Sequence, residues 1–153
     1  MNVAISAGAR KRAGSRDAHA VVLWACIALF FARVVGQIEV LLLAPTWLPA
    51  MPAWYSGLLP YPILLPLQIA LLMLMCALVI RKQATGSSTN VSRFGNAAIW
   101  RTLALLYFVT MAVRLVLCIH TYGRDYYLRG AIPIAFHWVL ALFVLGCTRR
   151  SGQ

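Results

Sequence analysis

Several ionisable side chains interrupt the long apolar runs of this chain, among them Arg33 and Glu39 in the first run, Arg114 in the third and His137 in the fourth. Gln37 and Gln68 add uncharged polar groups to the first and second. A charge at the centre of a membrane helix costs about 2.5–3.5 kcal/mol on insertion scales, so such residues by default suggest a functional site. Glu39 and His137 are the types that exchange protons, and they form the candidate catalytic acid–base pair. Arg33, Gln37, Gln68 and Arg114 are the types that hold a carbonyl, carboxylate or phosphate oxygen, and they are the candidate ligand-binding set. Two arginines stand against one glutamate, which leaves one positive charge to be met by an anion or a polarised oxygen. The competing reading is purely structural: a Glu39–Arg pair, with the second arginine snorkelling to the interface.

These residues can meet only if the apolar runs are membrane helices. Hydrophobic residues make up 62% of the 153 positions, and the mean hydropathy is +0.80. Soluble domains are about 45–50% apolar, and one this small still exposes much of its area. Lipid must therefore cover the remainder, and the expected class is all-α. The expected architecture is an integral-membrane antiparallel four-helix bundle with spans at about 20–44, 61–80, 97–122 and 131–147. Each run is close to the roughly 20 residues needed to cross the hydrocarbon. Residues 1–19 read as a flexible basic tail, and residues 149–153 as a short cytoplasmic C-terminus. Pro45 is expected to stop the first span. Between Pro45 and Pro60 there is no charge, but there are Trp47, Trp54 and Tyr55, a composition suited to the membrane interface. The segment Gly123–Gly130 reads as a turn, and Pro133 as the start of the fourth span.

The net charge of +11 does not imply nucleic acid, because the basic residues lie in short segments between apolar runs and not on one face of a soluble body. Ten of the fourteen Lys and Arg fall in the tail, in the second loop with the adjoining Arg101, and at the C-terminus. The positive-inside rule then places both termini in the cytoplasm, and a bacterial inner membrane is the expected location. Anionic lipid is an expected partner. Asn90-Val91-Ser92 fits a glycosylation sequon, but this orientation faces it inward. Cys26, Cys76, Cys118 and Cys147 lack metal-type spacing and read as small packing residues. No metal site is expected.

At about 1.5 Å per residue, Arg33 falls near mid-membrane and Glu39 about 9 Å further out. Gln68 and His137 fall about 4 Å outward, and Arg114 about 5 Å. All four spans thus place polar groups in the outer half, while the inner halves are almost wholly apolar. Arg33 and Gln37 share a helix face, and Glu39 lies about 120° from Arg33. Gly36 would allow another helix, or a ligand, to approach the backbone closely. The reading that follows is an outer-leaflet pocket for an anionic or carbonyl-bearing amphiphile, such as a lipid, isoprenoid or quinone. One alternative is an accessory or assembly subunit, acting through a membrane-protein partner or a second copy. Another is a haem-binding redox subunit using His137 and His120, although His120 falls about 10 Å further out than His137. A channel or transporter is disfavoured by the dry inner halves.

Overall fold

The computed structural model describes the backbone of residues 2–49, 54, 60–85, 96–122 and 124–148, and the side chains of 18–49, 54, 60, 62–84, 96–121 and 131–148. The sequon at Asn90, Tyr55, the side chains of Tyr126 and Tyr127, and the terminal Arg149 and Arg150 lie outside these residues. Four helices make up the architecture: α1 Asn2–Leu43, α2 Tyr61–Thr85, α3 Ala97–Tyr122 and α4 Arg124–Thr148. Each contains a stretch long and apolar enough to cross a membrane, at Ala18–Leu43, Pro62–Ala84, Ala97–Thr121 and Ala131–Thr148. The protein is therefore a multi-pass membrane protein.

Local chemistry accounts for the helix ends. α1 stops before Pro45, whose ring disfavours the helical conformation in the residue preceding it. That residue, Ala44, takes a left-handed φ of 41°, and its N–H closes the last turn on the Val40 carbonyl at 3.3 Å. α3 is capped by Asn96, whose Oδ1 accepts from the Ala98 N–H at 3.0 Å. The Pro60 carbonyl accepts from Ile63 and Leu64 at the start of α2.

Three local expectations are corrected. The basic segment expected to be a flexible tail is helical from Asn2. Its alanines and arginines are good helix formers, and extending an existing helix avoids the nucleation cost. The expected turn after Tyr122 is also shorter, because α4 begins at Arg124. Pro133 consequently lies inside α4 and not at its start. The backbone bond it cannot make would go to the Arg129 carbonyl. That carbonyl precedes the apolar stretch, where hydration can replace the missing donor.

α1 packs against α2 and α4, and α3 packs on α4; the other helix pairs barely touch. The core is centred on a stripe of α1: Leu23, Cys26, Ile27, Phe30 and Val34 meet Met75 and Val79 of α2 and Phe143 and Cys147 of α4. This spacing of three and four residues is one helix face. In lipid, close packing of this kind holds helices together in place of a hydrophobic driving force. Leu23 meets Gly146 so closely that a β-carbon there would lie 2.8 Å from Leu23 Cδ2. Arg33 meets Phe136 ten residues further along α1 and ten back along α4. Contacts thus climb one helix as they descend the other. Met75 is core and Met73 is 62% exposed, as expected for a lipid-facing neighbour.

Candidate functional site

The buried stripe of α1 does not stay apolar. Continued toward Leu43 it reaches Arg33, Gly36, Gln37 and Val40, all buried. Arg33 is 7% exposed, Gln37 1%, and Gln68 on α2 7%. The Arg33 guanidinium lies 4.8 Å from the centroid of the Phe136 ring on α4, a cation–π arrangement that offsets part of the cost of burial. Among the described residues its Nε has no hydrogen-bond partner, and neither have Gln37 Oε1 and Gln68 Oε1. Buried polar groups normally find partners, so three orphans on two adjoining helices mark the place where the fold leaves polar valence open.

Across α4 the site continues. Tyr107 Oη of α3 and His137 Nδ1 of α4 share a hydrogen bond of 2.5 Å, with the rings edge to face at 5.6 Å. The charges of Arg33 and Arg114 both bear on Tyr107 and on His137. Arg33, Tyr107, Arg114 and His137 therefore form one electrostatic group drawn from α1, α3 and α4. One residue further along, Trp138 donates from Nε1 to the Phe108 carbonyl at 3.2 Å and stacks on the Phe108 ring. This second link holds the Tyr107–His137 level of α3 against α4.

Gly36 and Gln37 are covered by Trp54, from the aromatic segment after α1. A β-carbon on Gly36 would lie 2.8 Å from Trp54 Cη2. Gln37 Nε2 donates to the Trp54 carbonyl at 3.3 Å, and Trp54 Nε1 donates to the Pro49 carbonyl at 2.9 Å. The close approach expected at Gly36 is thus made by this indole, which is 8% exposed, while Trp47 is 74% exposed.

Gln68 can be placed by register. His19 of α1 contacts Lys82 of α2 at 2.9 Å. Counting fourteen residues on from His19 and fourteen back from Lys82 brings Arg33 level with Gln68. Glu39 stands apart. It is half-buried, and among the described residues no ion pair joins it to Arg33 or Arg114. His120 is exposed on α3.

Below the polar group runs an apolar groove of about 460 Å³ between α3 and α4. Tyr107 and Thr110 line one end, Leu103, Ala104 and Leu140 the middle, and Trp100 and Val144 the other end. It is open at the surface and extends from Tyr107 and Thr110 toward the His19–Lys82 end. Tyr107 was not among the residues singled out in the sequence. The signal for it was its spacing from Arg114: seven residues, two helical turns, on one face. Lys82 lies two residues past the expected end of the second span. It donates to the Gly146 carbonyl at 3.1 Å as well as to His19 Nε2, and so ties α1, α2 and α4 together.

Fold and site together define a multi-pass helical membrane protein with buried polar side chains at the junction of its helices. Comparison with protein-family models, curated proteins and solved structures finds no match to this chain.

Proposed function

We propose that the protein binds an anionic or carbonyl-bearing amphiphile, with its polar group between Arg33, Arg114, Tyr107 and His137 and its hydrocarbon tail in the groove between α3 and α4. The observation that carries this reading is Arg33. A cation 7% exposed, with an orphaned Nε and no carboxylate paired to it among the described residues, is a costly feature for a bundle that only needs to pack. An amphiphile's oxygen would neutralise it. The groove starts at Tyr107, so the head and tail of one molecule can occupy the polar group and the groove together.

In this reading Gln37 and Gln68 extend the ligand-binding set. His137 with Tyr107 is the pair able to pass a proton, and Glu39 stands apart from it. The helices form an antiparallel bundle in a bacterial inner membrane, both termini cytoplasmic, with the polar group toward the outer leaflet. The excess of Lys and Arg at the termini and in the second loop supports that orientation. An alkaline phosphatase fused after Gln153 is expected to be inactive, and activity would reverse the orientation.

The binding test is thermal stabilisation in detergent. Added anionic lipid is expected to raise the Tm of the wild type and to leave that of Arg114→Leu unchanged, because a ligand that binds only the folded state stabilises it. Equal responses would remove Arg114 from the site.

A second reading, an accessory subunit of a larger complex, is favoured by α3. It packs on α4 alone, and only 6% of its most apolar window is buried. Copurification of a partner in mild detergent would support it.

A further inference from the structure

The orientation of one amide narrows the chemistry of the ligand, given the binding reading above. Gln37 is 1% exposed, and its side chain is held by a hydrogen bond to the Trp54 carbonyl. A carbonyl only accepts, so the amide end facing it must be the NH₂. The remaining end, Oε1, is therefore a carbonyl oxygen by necessity and not by choice of rotamer. It is buried and meets no donor among the described residues. Gln68 Oε1 is in the same condition on α2, level with Arg33. The Arg33 guanidinium, by contrast, can only donate. The site thus offers a cationic donor beside acceptors that need a proton donor. In hydrocarbon an unsatisfied acceptor finds no water to replace a missing partner.

A ligand with acceptor oxygens alone, such as a quinone carbonyl or a simple phosphodiester, would satisfy Arg33 and leave both glutamines orphaned. We infer that Gln37, Gln68 and Arg33 together select an amphiphile whose anionic oxygen lies next to a hydroxyl, so that the anion accepts from Arg33 and the hydroxyl donates to the glutamine carbonyls. A phosphate bearing a polyol headgroup has this pattern. The discrimination resides in the hydroxyl, because a site built around a polar group rejects an analogue that lacks it.

The test uses three lipids with the same acyl chains: phosphatidylglycerol, which has the anion and the hydroxyls; phosphatidylmethanol, which has the anion alone; and phosphatidylcholine, which is zwitterionic and has no hydroxyl. Retention on the full-length protein is read by native mass spectrometry from mixed-lipid nanodiscs. Phosphatidylglycerol is expected to be retained at least threefold over phosphatidylmethanol by the wild type. That ratio is expected to fall to one in Gln68→Leu, which leaves the Trp54 contact intact, and in Gln37→Leu. Equal retention of the two anionic lipids by the wild type, both above phosphatidylcholine, would overturn this inference and leave the binding reading standing. No preference for either over phosphatidylcholine would overturn both.

Discussion

Trp54 packs so closely on Gly36 that a β-carbon there would come within 2.8 Å of its Cη2. The aromatic segment is thereby fastened to α1 one residue from Gln37, whose amide holds the Trp54 carbonyl. The contact covers Gly36 and Gln37 with a side chain that suits the membrane interface. It also explains a glycine inside a membrane helix.

The first consequence concerns that glycine. Gly36→Val should displace the indole and cost about 1–3 kcal/mol through overpacking. Trp54 fluorescence should shift to the red as the ring leaves its buried position. An unchanged spectrum and unchanged stability would mean that the contact is loose.

Arg33 gives a prediction of the opposite sign. Removing a residue that serves packing destabilises, whereas removing a buried charge without a counter-ion relieves a desolvation cost. Arg33→Leu loses the contact with Phe136, worth about 0.5–2 kcal/mol, but gains about 3 kcal/mol on insertion scales. The variant should be as stable as the wild type or more so, and should lose lipid-induced stabilisation. Unfolding in SDS measures the first effect. A clear loss of stability would return Arg33 to a structural role.

Tyr107→Phe deletes one hydroxyl and leaves the ring. The hydrogen bond to His137 is worth about 0.5–1.5 kcal/mol, so lipid retention should fall about two- to tenfold with little change in fold. If retention is unchanged, the Tyr107–His137 pair does not touch the ligand.

At the other end, Lys82 links three helices. As an ammonium it only donates, so His19 Nε2 and the Gly146 carbonyl both accept from it. Lys82 and His19 are only partly buried, so solvent weakens the link, and a double-mutant cycle of Lys82→Met with His19→Ala should give a coupling of about 0.5–1 kcal/mol. Additive effects would mean that the two residues act separately.

Much of this was readable before any coordinates. The third span was placed at 97–122, and the helix is Ala97–Tyr122. Long apolar runs closed by charges or proline leave little freedom, because a bilayer admits only helices of about that length. Depth puts Arg33 and Gln68 at neighbouring levels, and helical angle puts Arg33 and Gln37 on one face of the first span. What sequence alone could not supply was registration between helices. Tyr107 reads as an ordinary aromatic until α3 and α4 are aligned and His137 arrives beside it. Trp54 reads as an interface anchor until the chain folds back over Gly36. Glu39 was placed by depth, but on a different face of α1 from Arg33, and depth alone could not tell the two apart in role. The helical extension over residues 2–19 has no apolar period in its sequence to announce it.

The central claim is that the arginine-bearing polar group holds a molecule. The most direct measurement is mass spectrometry of small molecules extracted from wild-type protein purified in native nanodiscs, set beside the same preparation of Arg33→Leu. An anionic or carbonyl-bearing amphiphile is expected to be enriched on the wild type in near-stoichiometric amount and absent from the variant. Identical extracts from the two proteins, each matching bulk membrane lipid, would contradict it.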